Sequence, residues 1–181
     1  LEIARNIAER FNGIYGDTFI VPDAFINKTP AARIMSLADP TKKMSKSDEN
    51  ENATVRILDD RDTIIRKFKR AVTDSESEVC AREGKAGIIN LMSIYGAFTG
   101  KTFEEIEKEF SGKGYGEFKL AVGEACADGL APVQAEFKRL SADKAYLEEL
   151  MARGAAEAHH DTLRTLSKVR RKIGFTERPR Y

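Results

Sequence analysis

From Gly87 to Ile173 apolar residues recur at helical spacing almost without a break, and this pattern limits the fold more than any other feature. Residues 87–98 are apolar on most sides, through Ile88, Ile89, Leu91, Met92, Ile94, Tyr95 and Phe98, which predicts a central helix. Gly100 is a stop signal, and Thr102 with Glu105 forms a capping box for a helix over 103–110. Gly112, Gly114 and Gly116 separate it from a helix over about 117–139, which Pro132 should kink or divide. Helices over 142–153 and 155–173, with Gly154 between them, complete an all-helical remainder.

The first third reads differently. Leu1, Ile3, Ala4, Ile7, Ala8 and Phe11 predict an amphipathic helix over 1–12 that Gly13 and Gly16 end. Residues 18–26 are apolar and interrupted by Pro22, a strand-like or extended piece. Residues 28–53 hold few large apolar side chains and read as a long loop, with a short helical turn over 31–37. A helix returns over 60–73 on the stripe Ile64, Ile65, Phe68, Ala71 and Val72, with Asp59, Asp60 and Asp62 at its positive end. Residues 74–86 are a polar loop. Too few strands precede Asp60 to build a sheet, so the fold class is mostly α. Residues 1–59 read as the tail of an α/β domain and 60–181 as a helical domain. The chain opens in a helical segment without an initiator methionine, which predicts that an upstream portion of the protein is absent.

A chain of 181 residues that is 41% hydrophobic can bury a real core. The net charge of +1 excludes a polycation, so any nucleic acid must be met by local basic faces. Two are present: Arg61, Arg66, Lys67, Lys69 and Arg70, and then Arg164, Lys168, Arg170, Arg171 and Lys172. Each is either a solvated helix face or a phosphate-contacting one. Tyr95, Tyr115, Tyr146 and the phenylalanines read as core rather than as base-stacking platforms. No apolar run approaches the ~20 residues of a membrane span, and no signal-peptide pattern is present. Cys80 and Cys126 are distant from each other, and His159 and His160 stand as a pair on a polar helix face, so no metal site is expected. Two free thiols fit a reducing cytoplasm.

The stretch that carries chemistry is Pro40-Thr41-Lys42-Lys43-Met44-Ser45-Lys46-Ser47-Asp48. Two ammonium groups, Lys43 and Lys46, in a serine-bearing loop can offset charge building on a polyphosphate. The hydroxyls of Ser45 and Ser47 can bond phosphate oxygens. Met44 either anchors the loop or touches a nucleobase. By charge alone the same tract also reads as a solvated basic loop.

Lys43-Met44-Ser45-Lys46-Ser47 is the KMSKS signature of class I aminoacyl-tRNA synthetases. With Ala32-Arg33-Ile34-Met35-Ser36-Leu37 and Asp39-Pro40-Thr41 before it, the segment resembles the ATP-side segment of bacterial-type tryptophanyl-tRNA synthetases. The similarity continues through Leu58-Asp59-Asp60, Ala71–Glu76, Gly87-Ile88-Ile89-Asn90-Leu91 and Gly112-Lys113-Gly114-Tyr115-Gly116, over essentially the whole chain. The resemblance implies the C-terminal part of a Rossmann-like catalytic domain carrying the KMSKS loop, followed by a helical anticodon-binding domain. It implies a ligase that activates L-tryptophan with ATP and Mg2+ and charges tRNA(Trp), as a cytoplasmic homodimer. Lys43, Met44, Ser45, Lys46 and Ser47 would contact ATP, with Lys43 and Lys46 catalytic in stabilising the departing pyrophosphate. Ile34 stands at the adenine-contacting position, although core packing explains an aliphatic residue there equally well. Ala31 stands where many members have glycine. The HIGH motif and the tryptophan-pocket strands have no counterpart in these residues, so this piece alone is expected to be inactive. Tyrosyl-tRNA synthetases are the nearest relatives, but they usually carry a further small C-terminal RNA-binding domain, whereas this chain closes on helices and a short basic tail. The alternative from another class is a helical RNA-binding or protein-interaction module, which has no need of an intact KMSKS tract.

Overall fold

The computed structural model describes residues 1–26 and 32–176. Ala31 and the basic tail after residue 176 lie outside them. Among the described residues there are six α-helices: α1 (Glu2–Tyr15), α2 (Arg61–Lys69), α3 (Ala86–Thr99), α4 (Phe103–Glu109), α5 (Tyr115–Ser141) and α6 (Lys144–Lys172), with 3-10 conformation at Glu51–Ala53 and at Ala32. The only β pairing among the described residues is the isolated antiparallel bridge Met35↔Lys43. None of these helices is long and apolar enough to cross a membrane.

The chain divides into two compact units, Leu1–Ile26 with Leu140–Tyr181, and Asn27–Arg139. In the first, α1 runs through Gly13 and ends at Gly16, whose φ of 77° suits a residue without a Cβ. Its apolar stripe is largely uncovered: only Ala8 is buried, while Leu1, Ile3, Ile7 and Ile14 are exposed. The following described residues, 17–26, form neither helix nor strand. The Asn12 carboxamide accepts from the Thr18 and Phe19 amides (3.0 and 2.9 Å) and donates to the Phe19 carbonyl (2.8 Å). Lys172, in the last turn of α6, donates to the carbonyl oxygens of Gly16 (3.0 Å) and Asp17 (3.3 Å) and to Thr18 Oγ1 (2.7 Å).

The second unit holds the main core. Ile64 and Phe68 of α2, Ile88, Leu91, Met92 and Tyr95 of α3, Ile106 of α4, and Phe118 and Val122 of α5 pack together with Leu37. Tyr95, Phe110 and Phe118 meet edge to face, with centroids 4.9–6.1 Å apart. The apolar α3 is central, as its pattern predicts, and Gly87 at its start lets the helix press on the chain at 72–73. A Cβ there would sit 2.3 Å from the Val72 carbonyl oxygen. Gly100 closes α3 in the left-handed conformation, and the Thr102–Glu105 capping box forms in full.

Neither long helix is divided where a division was expected. α5 is continuous through Pro132, which faces solvent, as does Asp128, whose carbonyl loses its helical donor to the proline. Water can satisfy that carbonyl at the surface. α6 is continuous through Gly154, where Ala152, Ala155, Ala156 and Ala158 offset a glycine penalty of about 1 kcal/mol. The aromatic expectation is also corrected. Tyr95, Phe68, Phe110 and Phe118 are core, but Tyr146, Phe25, Phe98, Phe137 and Phe175 are exposed.

Cys126 lies buried on α5, and burial pushes its thiol from an ordinary 9.0 to about 11. A raised thiol pKa keeps the neutral form favoured, so this contribution to stability is present at neutral pH and is lost as pH climbs from about 9 towards 11. Iodoacetamide at pH 8 should therefore modify the half-exposed Cys80 in the native protein and reach Cys126 only after denaturation. Equal native rates on the two peptides, read by mass spectrometry, would contradict the burial.

Candidate functional site

The root of the KMSKS segment is a two-rung antiparallel pairing. The Ser36 amide donates to the Lys42 carbonyl (2.8 Å) and the Met44 amide to the Ile34 carbonyl (3.0 Å), which sets Met35 opposite Lys43. Of the expected helical turn over 31–37, the described residues keep 3-10 conformation at Ala32, and the antiparallel run takes over at Ile34–Ser36. The connecting turn is held by its own polar side chains. Ser36 Oγ accepts from the Ala38 and Asp39 amides, and Asp39 Oδ1 accepts from the Thr41 amide and hydroxyl (3.1 and 2.6 Å). Those Thr41 bonds, then the adjacent Lys42 ammonium (3.1 Å), hold the Asp39 carboxyl below its ordinary range.

Leu37 ties this root to the core on both sides. Its amide donates to the Ala53 carbonyl (3.0 Å) and its carbonyl accepts from the Val72 amide (2.7 Å). From α3, the buried Asn90 accepts from the Met35 amide and donates to the Met35 carbonyl, both at 2.8 Å.

Beyond Met44 the chain turns outward. The Asp48 amide donates to the Ser45 carbonyl (3.2 Å), the Ser45 and Ser47 hydroxyls lie 3.0 Å apart, and Thr54 Oγ1 donates to the Ser45 carbonyl (2.7 Å). Asp48 and Asn50 each accept a backbone amide two residues on, which carries the chain into the 3-10 turn. Ile34 and Met44, joined by a backbone bond, are half-buried against the core cluster. Lys43, Ser45, Lys46 and Ser47 are exposed. Neither Lys43 nor Lys46 forms an ion pair among the described residues, whereas Lys42 is paired with Asp39. The arrangement is an apolar floor at Ile34 and Met44 beside two uncommitted ammonium groups and two hydroxyls. It can receive a flat apolar ring and a chain of anionic oxygens together.

The basic faces resolve unevenly. Lys67 is buried, bonded to Asp59 Oδ2 (2.6 Å) and to the Thr54 carbonyl (2.8 Å), so it belongs to the scaffold and not to a surface. Arg61 pairs with Asp128 and Arg66 reaches Asn52, while Lys69, in the last turn of α2, and Arg70, its C-cap, are exposed. Lys172 is engaged at residues 16–18, while Arg164 and Lys168 face solvent, as do His159 and His160. No cluster of His, Cys, Asp and Glu suited to a metal ion occurs among the described residues.

The stretch 71–76 of the sequence signature is structural. Lys85 at the start of α3 is buried and contacts Glu76 (2.8 Å), Asp74 (3.5 Å), the Tyr115 hydroxyl (2.7 Å) and the Glu78 carbonyl (2.9 Å). Burial alone would lower its pKa, but the bonds to Glu76 and Tyr115 and the nearby Asp74 outweigh that and raise it. Sequence reasoning missed Asn90, Thr54 and Leu37 as supports of the loop. For Asn90 a signal existed: one carboxamide inside an otherwise apolar helix must find partners.

Against known proteins, residues 1–131 match the family model described as tRNA synthetases class I (W and Y). The chain is 48% identical over 175 residues to a tryptophan–tRNA ligase of Wolinella succinogenes, across 97% of its own length. It spans about half the length of the curated relatives it matches, 53% and 52% for two of them. The crystal structure of tryptophanyl-tRNA synthetase from Mycoplasma pneumoniae superposes with a TM-score of 0.84 at 28% identity, covering 97% of this chain and 53% of that one. The Campylobacter jejuni enzyme solved with ADP and tryptophan gives 0.66 at 25% identity, covering 96% and 53%. With well over half of its residues matched by the family model, the chain belongs to the class I tRNA synthetases of the W and Y group.

Proposed function

We propose that this chain is the C-terminal part of a tryptophan–tRNA ligase, which forms tryptophanyl-adenylate from L-tryptophan and ATP and transfers the tryptophanyl group to tRNA(Trp). The observation that carries the reading is the pair of exposed lysines, Lys43 and Lys46, which form no ion pair among the described residues, on a loop whose root is fixed to the core. Identity of 48% to a tryptophan–tRNA ligase favours tryptophan over tyrosine.

In the proposed mechanism ATP lies along the loop. The adenine rests on Ile34 and Met44, and the triphosphate runs past Ser45 and Ser47. Adenylate formation joins the tryptophan carboxylate to the α-phosphorus and expels pyrophosphate. Lys43 and Lys46 stabilise the charge that gathers on it. Mg2+ enters with ATP, held chiefly by phosphate oxygens and water. Residues 1–59 act as the end of the catalytic domain and 60–181 as the anticodon-binding domain. Lys69, Arg70, Arg164 and Lys168 are candidates for tRNA phosphate contacts. The complete protein works as a cytoplasmic homodimer.

The test is tryptophan-dependent ATP–pyrophosphate exchange. The full-length protein should exchange with tryptophan and not with tyrosine. This chain alone should be silent, because half a site cannot bring both substrates together. Addition of the separately produced N-terminal half should restore exchange. Exchange driven by tyrosine, or none from the full-length protein, would overturn the reading.

A further inference from the structure

We propose that Asn90, a residue of α3 that touches no substrate in the reading above, is a positioning residue for the KMSKS loop, acting as a surrogate third strand beside Met35; the inference rests on the proposed ligase function. In the Met35–Lys43 pair the two ladder bonds are made by the flanking residues, Ser36 to Lys42 and Met44 to Ile34. Residues of such a pair direct their own N–H and C=O away from each other, towards where a neighbouring strand would lie. No strand lies there among the described residues. The Asn90 carboxamide takes that place, offering one acceptor to the Met35 amide and one donor to its carbonyl, both at 2.8 Å.

The arrangement fixes both the residue type and its effect. Asn90 is 5% exposed, between Ile88, Leu91 and Met92, so its amide would be costly there without partners. Aspartate has the same shape but, once ionised, accepts only. It would leave the Met35 carbonyl without its donor and bring a charge into the core. Two paired rungs make a marginal ladder by themselves, and the helix contributes the third rail. Lys43 sits directly across the pair from Met35, and Met44 is the next residue. The path from α3 to the proposed catalytic lysine is therefore one carboxamide and one strand pair.

The experiment uses the full-length protein with Asn90→Asp, and Ser93→Ala as a matched control. Ser93 is also buried on α3, but among the described residues its hydroxyl bonds to Ile89 of its own helix (2.9 Å). Active sites are titrated, so that loss of folded protein does not pass for loss of rate. For Asn90→Asp we expect kcat of tryptophan-dependent exchange to fall about ten-fold or more, KM for ATP to rise several-fold, and KM for tryptophan to stay within about two-fold. Hydrogen–deuterium exchange at residues 42–48 should quicken while α5 amides stay protected. Ser93→Ala should change none of these.

If Asn90→Asp fails to fold, methionine-35 can be replaced by its α-hydroxy analogue. That deletes the N–H that Asn90 accepts and makes the Ile34 carbonyl an ester, a weaker acceptor for the Met44 amide; both changes loosen the same strand pair, and the same split of KM values is expected from it. Unchanged ATP kinetics in the folded variant, or equal rises in both KM values, would overturn the positioning role. Absence of tryptophan-dependent exchange in the unaltered protein would instead refute the ligase reading, and hydrogen exchange at 42–48 would still report on the clamp.

Discussion

ATP–pyrophosphate exchange by the full-length protein should fall by about two to three orders of magnitude when Lys43 and Lys46 are both replaced by alanine, with no change in thermal midpoint. Removing a single preorganised group that stabilises developing charge typically costs about 10²–10³ in rate, or ~2.7–4 kcal/mol. Two groups serving one leaving pyrophosphate act as a unit, so the double variant should fall short of the product of the single ones. Stability should be indifferent, because both side chains are exposed and neither forms an ion pair among the described residues. Lys42→Ala is the internal contrast. That lysine is engaged with Asp39, and its loss should change the rate far less. A double variant that exchanges at the normal rate would refute the role assigned to the loop.

The largest stability loss should follow Lys67→Ala, about 3–5 kcal/mol, the usual cost of removing one partner of a buried ion pair. The ammonium is fastened to Asp59 and to the Thr54 carbonyl, and the two side chains of the pair are 5% and 14% exposed. Truncation leaves the Thr54 carbonyl without that donor and the Asp59 carboxylate, largely out of solvent, with the Arg56 amide but no cation. The damage should also reach the loop, because Thr54 holds the Ser45 carbonyl through its hydroxyl. Lys69→Ala, two residues away on the exposed side of α2, should stay within about 0.5 kcal/mol. Urea unfolding measures both. A Lys67→Ala loss below about 1 kcal/mol would mean that the pair behaves as a solvated one.

These two lysine sites show what a sequence discloses and what it withholds. Gly100, the Thr102–Glu105 box and the apolar run of α3 are local devices whose physics is complete within a few residues, and they were legible. The Lys43–Ser47 tract was legible for another reason: its chemistry lies in residue types, and exposure leaves those types unaltered. Lys67 was read as one of five surface cations because its partners, Asp59 and Thr54, lie in a segment whose path no periodicity predicts. Asn90 was visible as a polar residue in an apolar helix, but its partner lies 55 residues away. Gly154 misled in the opposite direction, and Pro132 does not divide its helix. Their penalties are averages, and exposed positions in long helices tolerate them.

The pairing of Leu1–Ile26 with Leu140–Tyr181 has a consequence for the chain's birth on the ribosome. Translation at roughly 5–20 residues per second needs on the order of ten seconds to travel from Ile26 to Leu140. Through that interval Asn27–Arg139 can emerge and close on itself, while α1 waits for a helix not yet made. Ile3, Ile7 and Phe25 are exposed in this chain, so the waiting segment offers chaperones and proteases an apolar target. The Lys172 bonds to residues 16–18 can form only after the whole of Asn27–Arg139 has been made, so within these residues vectorial folding runs from the middle outward.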